Sequence, residues 1–257
     1  MDTTTTHKPL FIAFSSQKGG VGKSTFTALA AGILHYRLGY QVAVFDCDFP
    51  QYSLKKMRDR DLKTIMENEA FKRIAQKQFM TLNKKAYPIM GCRVETALEE
   101  AERFLQSSAL PFDVVFFDLP GTVNTAGILK TLMGMHYIFS PITADRVVVE
   151  STLSFTQALS DIIMKNEESS IKGIRLFWNE VDRREKSPNY DFYTDFIEGL
   201  GFSLMKSHIK DSKRFRKEGE AMESTPFRST LLPADLRLMK ACHLDMFMLE
   251  FLKIITI

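Results

Sequence analysis

Cysteine is scarce in this chain of 257 residues: Cys47, Cys92 and Cys242 stand far apart, with no pair at redox or metal-ligand spacing. That excludes a disulfide-stapled scaffold and points to a reducing cytoplasm. No apolar run approaches the roughly 18 residues that span a bilayer, so no stable membrane insertion is expected. Neither sign of charge dominates, since 34 Lys and Arg face 31 Asp and Glu for a net +3. Such a total does not mark a dedicated nucleic-acid binder, although a basic patch can hide inside it. The five histidines, His7, His35, His136, His208 and His243, fall at no metal or triad spacing. Residues 1–9 carry four threonines and no apolar core, and are expected to be a flexible lead-in rather than a signal or transit peptide.

What is present is an ordinary globular composition, 45% hydrophobic and 25% charged, arranged as short Phe/Val/Ile runs alternating with segments of helical period. That pattern predicts an α/β fold, a doubly wound, mostly parallel sheet with helices on both faces, forming one domain over residues 1–257. Strands are expected at Leu10–Ser15, Gln41–Asp46, Ala86–Met90, Asp113–Asp118, His136–Ser140, Ile171–Trp178 and Phe202–Lys206. Helices are expected at Gly22–Leu38, Leu62–Gln78, Val94–Gln106, Val147–Lys165, Asp191–Leu200, Asp211–Met222 and Leu236–Phe251.

The first strand runs into Ser15-Ser16-Gln17-Lys18-Gly19-Gly20-Val21-Gly22-Lys23-Ser24-Thr25 and then a helix. A strand, a glycine loop and a helix N-terminus make an anion site, because unpaired backbone N–H groups and the helix dipole converge there. Gly19, Gly20 and Gly22 let the backbone curl round phosphates. Lys23 is placed to neutralise the β- and γ-phosphates, and the Ser24 hydroxyl to coordinate magnesium. The strict G-x-x-x-x-G-K-[ST] pattern fails, because Gln17 stands at its first position and a second lysine, Lys18, opens the loop.

Two more strands end in carboxylates. Asp46-Cys47-Asp48-Phe49-Pro50-Gln51 closes the second apolar run, at the sheet edge where open α/β folds bind ligands. Phe112-Asp113-Val114-Val115-Phe116-Phe117-Asp118-Leu119-Pro120-Gly121 reads as a buried strand delivering Asp118 to the same edge, where it would hold magnesium through water. Gly121 allows movement when a γ-phosphate is lost.

The K-G-G-x-G-K-[ST] loop resembles the deviant Walker A of the ParA/MinD superfamily, the SIMIBI class of P-loop ATPases. The resemblance covers most of the chain and is strongest through about residue 121. It implies ATP and ADP with Mg2+ as cofactors, and a nucleotide-binding set of Lys18, Gly19, Gly20, Val21, Gly22, Lys23, Ser24 and Thr25. It also implies an ATP-dependent homodimer in which Lys18 reaches the partner's phosphates. The 46–51 segment resembles the family's D-x-D-P-Q with Phe49 inserted. Asp48 would then orient the attacking water, and Asp46 would support the magnesium shell beside Ser24 and Asp118. Asn179 follows a strand where the family often places an adenine-binding asparagine, and Pro233 in Leu231–Asp235 is expected to border the base.

Within the superfamily the chain is closest to the ParA side. The cysteines do not suit an iron–sulfur scaffold, and the C-terminal segment carries too few cations for a MinD-type membrane helix, so a packed core helix is expected there. ParA-like proteins bind non-specific DNA. Lys206–Lys217 holds six cations and one acid, with Lys210, Lys213, Arg214 and Lys217 sharing one face if helical. A second basic run, Lys55–Lys85, has ten cations against four acids and resembles no known binding segment. The expected role is a cytoplasmic ATPase for DNA partition, plasmid maintenance or conjugative transfer, with a stimulating partner protein. The alternatives are a MinD-like protein positioning cargo or acting at a membrane, and a metabolic ATP-dependent ligase, for which no substrate pocket is evident.

Overall fold

A computed structural model describes residues 8–121, 126–166, 169–182, 188–212 and 228–257. Six strands, β1 Leu10–Phe14, β2 Val42–Asp46, β3 Ile89–Gly91, β4 Val114–Asp118, β5 Tyr137–Ile142 and β6 Gly173–Trp178, form one parallel sheet in the order β3-β2-β4-β1-β5-β6. The helices are α1 Lys23–Tyr36, α2 Ser53–Glu67, α3 Glu69–Leu82, α4 Ala97–Ser107, α5 Ala126–Met133, α6 Arg146–Lys165, α7 Pro188–Gly199, α8 Leu236–Ala241 and α9 Leu244–Ile255.

The Phe/Val runs become central strands because both faces of the sheet are covered. Alternate side chains part to opposite faces. Ile12, Phe14, Val44, Val114, Phe116 and Phe139 pack with α1 and with Phe247 and Phe251 of α9, while Ala13, Phe45, Val115, Phe117 and Ile138 pack with α4, α5 and α6. The expected core helix at the C-terminus is therefore found: Leu244, Phe247, Met248, Phe251 and Ile255 of α9 are all buried. Among the described residues no helix is long and apolar enough to cross a membrane.

Several expected elements differ. The helix expected at Leu62–Gln78 starts at Ser53 and splits in two, because the Asn68 side chain accepts from the N–H groups of Ala70 and Phe71 and starts a new helix. The segment Leu236–Phe251 breaks at His243, whose φ of 62° ends one helix and begins the next. Phe202–Lys206 is not a strand; it meets the sheet through a single bridge between Leu204 and Leu176. Helix α5 lies where the sequence predicts no element. The helix expected at Asp211–Met222 lies outside the described residues from position 213 onward, and Asp211 and Ser212 are not helical.

Candidate functional site

The order of strands reverses beside β1, so the loops after β1, β2 and β4 open on one crevice at the carboxyl edge, the place where such sheets bind ligands. The first loop is pinned at its root: Ser15 N–H donates to Phe139 O (3.0 Å) and Ser140 Oγ to Ser15 O (2.7 Å). Gly20 and Gly22 take φ of 79° and 93°, the left-handed region that favours glycine. A Cβ at Gly19 would meet no protein atom within 4 Å, so the missing side chain leaves space for a bound group rather than relieving an internal clash. Gly121 closes on the loop from the β4 side. A Cβ there would stand 3.2 Å from Lys23 Nζ and 3.6 Å from Gly19 Cα.

Lys23, the first residue of α1, is buried and donates from Nζ to Lys18 O at 3.0 Å. Burial lowers its pKa, against the opposing pull of Asp118 and Asp48. Lys18 is half-buried, and its N–H reaches Ser16 Oγ at 3.4 Å. Val21 is buried, and its carbonyl accepts from Asn179 Nδ2 at 3.1 Å. Asn179 thus joins the end of β6 to the phosphate loop, a structural bond that its expected adenine role did not include.

Asp118 is the most exceptional group in the crevice. It is fully buried, and neither carboxylate oxygen has a partner at normal hydrogen-bond geometry, the Ser24 hydroxyl being near enough only to interact with it loosely. Burial raises its pKa to about 7, with Asp46 and Asp48 adding to the rise and the neighbouring Ser24 hydroxyl and Lys23 opposing it. Asp46 is its lateral neighbour, because the two are register partners on β2 and β4. The Asp46 carboxylate is already engaged, accepting from Leu54 N–H (2.9 Å), Lys55 N–H (3.0 Å) and Asp48 N–H (3.4 Å), and so tethers the first turn of α2. Burial also raises its pKa, against those bonds. Asp48 lies half-buried at the crevice. The inserted Phe49 turns outward, 51% exposed, with the Arg93 guanidinium 4.9 Å above its ring.

These residues fit a magnesium ion. An orphaned buried carboxylate beside a serine hydroxyl supplies two oxygen ligands, and Mg2+ usually takes one or two protein ligands and fills the rest with water and phosphate oxygens. Among the described residues no three His, Cys, Asp or Glu groups form a closed cage, in keeping with that open mode.

The other expected residues are distributed differently. Thr25 is buried and accepts at Oγ1 from Arg228 Nη1 at 2.7 Å, a partner 203 positions away that no local signal could have disclosed. Pro233 packs beside Gly32 of α1, nine residues along the helix from Lys23. Lys210 forms a bridge with Val181 and donates its N–H to Cys242 O, in non-helical backbone. Lys213, Arg214 and Lys217 lie outside the described residues.

The class defined by this fold and crevice is a nucleotide-binding P-loop protein, and comparison gives it a family. Residues 12–224 match the model of the CobQ/CobB/MinD/ParA nucleotide binding domain, so the chain belongs to that family. No curated protein matches it. Among solved structures it is similar to apo McdA of Cyanothece, with 16% identity, 82% of this chain and 89% of that one covered, and a TM-score of 0.55. It is also similar to cobyrinic acid a,c-diamide synthase from Mycobacterium smegmatis, solved with an ATP analogue and magnesium, at 20% identity, 80% and 86% coverage and a TM-score of 0.53. A third is pNOB8 ParA bound to nonspecific DNA, at 20% identity, 77% and 80% coverage and a TM-score of 0.51. At these identities the likeness establishes the shared fold.

Proposed function

We propose that the chain is a ParA-like ATPase that binds Mg2+ and ATP in this crevice, hydrolyses ATP to ADP, and dimerises on ATP to serve DNA partition, plasmid maintenance or conjugative transfer in the cytoplasm. The observation that carries the reading is Asp118, a buried carboxylate without a well-formed hydrogen bond, beside Ser24, Lys23 and a glycine loop. A protein without a ligand for that group gains nothing by burying it. Ser24 and Asp118 are the groups that would hold magnesium, which supplies charge compensation on the phosphate oxygens. Lys23 and the N-terminus of α1 bind and orient the phosphates, and Asp48 orients the attacking water. Lys18 from a second copy completes the charge compensation. The fold shared with ParA bound to nonspecific DNA supports a DNA partner, and an ATPase-stimulating protein completes the cycle. The burial of α9 weighs against the membrane alternative.

Sedimentation of an Asp48→Ala variant with Mg2+ and ATP tests the reading. A stable dimer that shifts further with random-sequence duplex, and less so as salt rises, is the expected result. A monomer under all conditions overturns the dimer cycle. In the wild-type background, Lys18→Ala is expected to keep nucleotide binding and lose about 10³-fold in turnover, by analogy with a charge finger supplied in trans. Lys23→Ala is expected to lose both. Normal turnover by Lys18→Ala removes the trans assignment.

A further inference from the structure

The nucleotide crevice leaves two parts of the surface unexplained, and they lie at opposite edges of the sheet. Helix α7 packs on the β6 edge through Ile197, with Trp178 Nε1 donating to Thr194 Oγ1 at 3.1 Å. Its outer side carries Phe192 and Phe196, and Leu200 follows its last residue, all exposed, with Phe192 64% so. The two phenyl rings stack with planes 6° apart, forming a ready platform. Beside it run Asp191, Asp195 and Glu198, and residues 188–200 contain no Lys or Arg.

The other end of the sheet carries the α2–α3 hairpin, which packs on β3, β2 and α1, holds most of the basic run and meets the nucleotide crevice at its first turn through Asp46. It exposes Leu62 and Met66 (69%), one turn apart on α2, and Ile74 and Met80 (82%) on α3. Lys63 lies between the first two, and Arg73 and Lys77 flank Ile74. Lys63 pairs with Glu67 at 3.9 Å, largely in solvent, a pair of little energetic weight.

We propose that these two faces are complementary halves of one interface, and that a second copy of this chain docks its α7 onto the α2–α3 hairpin. One face offers stacked aromatics with an acidic border, the other methionines and aliphatics with a basic border. Thioethers pack well on aromatic ring edges, lysines on ring faces, and interface cores are enriched in aromatic residues and Met. The faces lie toward opposite ends of the sheet, whose outer strands stand roughly 24 Å apart at about 4.8 Å per spacing, so they do not meet within one molecule. They are unlike each other, so the contact is heterologous and leaves one free face of each kind at the ends of a growing row. This contact needs no nucleotide and does not use the phosphate loop, so it stands or falls separately from the ATP-dependent dimer.

The test is sedimentation velocity on nucleotide-free full chain over a concentration series at low and high salt. Two variants accompany the wild type: Phe192→Ser/Phe196→Ser on α7 and Lys63→Glu/Lys77→Glu on the hairpin, all at exposed positions outside the nucleotide site. The wild type is expected to grow past a dimer with concentration at low salt and to shrink as salt rises. Each variant alone is expected to remain a monomer. Their equimolar mixture is expected to stop at twice the monomer mass, because one good face of each kind remains. A wild type whose mass does not change with concentration overturns the proposal, as does a mixture that stays monomeric or variants that still self-associate. If the wild type is monomeric and Lys63→Glu/Lys77→Glu instead abolishes binding to duplex DNA or anionic vesicles, the basic face belongs to that partner and the proposal fails.

Discussion

Asp61 and Asp118 are both buried aspartates, 6% and 0% exposed, yet their surroundings are opposite. Asp61 on α2 accepts from Thr230 N–H (2.6 Å), Thr230 Oγ1 (2.9 Å), Ser229 Oγ (3.1 Å) and the Arg60 guanidinium (2.8 Å). Arg58 adds bonds to Thr230 and to Tyr87 O, and Gln78 holds Leu231 O. That corner is fastened: both Asp61 oxygens accept, and the chain near residue 230 is tied to α2 and α3. Asp118 has only the loose approach of the Ser24 hydroxyl and the charge of Lys23, and no well-formed hydrogen bond. A buried charge that the protein satisfies by itself is a fastening, whereas one left unsatisfied is a place prepared for something else. Asp46 stands between them, its oxygens accepting from α2 while its charge acts on Asp118.

Removing the charge at Asp118 is expected to give the largest effect on stability. The rise from the ordinary carboxylate value of 3.8 to about 7 corresponds to on the order of 4 kcal/mol. Between those values the folded state holds the proton more tightly than the unfolded chain does. This group's favourable contribution is therefore complete below pH 3.8 and lost as pH climbs to about 7. Asp118→Asn should recover most of that loss at pH 8, flatten the slope between pH 4 and 7, and abolish magnesium-dependent hydrolysis. Urea denaturation of the nucleotide-free protein at several pH values checks it. A variant less stable than wild type at pH 8 would show that the carboxylate is not orphaned in solution.

Asp61→Ala is the matching change in the fastened corner and should act with opposite sign. It strands the Ser229 and Thr230 donors and is expected to cost about 3 kcal/mol of stability. Magnesium dependence of nucleotide binding should survive at temperatures where the variant is folded. Equal losses of binding and stability would erase the distinction between fastening and site.

The site was more legible in the sequence than the fastening, for a physical reason. Phosphate binding compresses its signal into one loop, and Asp46 and Asp118 each close an apolar run, so strand ends alone bring them together. Asp61 and Thr230 are 169 positions apart and Arg228 and Thr25 are 203, and nothing in local pattern pairs them. Periodicity also failed where a cap or a short apolar run replaced it. Asn68 carried a readable N-cap signal in front of Glu69, but the surrounding helical period hid it. Helix α5, AGILKTLM, is eight residues long and too short for periodicity to tell a helix from a buried strand.

Asp46→Asn should give the smallest change in stability and probes how the two corners are joined. The amide oxygen can still accept from Leu54 and Lys55, so the tether of α2 is largely kept and the cost should stay within about 1 kcal/mol. The charge is lost, however, and that charge helps to raise the pKa of Asp118. Asp118 should then ionise at lower pH, and because metal binding needs the ionised form, the midpoint of magnesium-dependent nucleotide binding should move to more acid pH. Titration calorimetry with ATP and magnesium between pH 5 and 8 measures that midpoint. An unmoved midpoint with a destabilised α2 would make Asp46 a fastening like Asp61. A moved midpoint with α2 intact would make it the residue through which the fastened corner sets the charge of the prepared one.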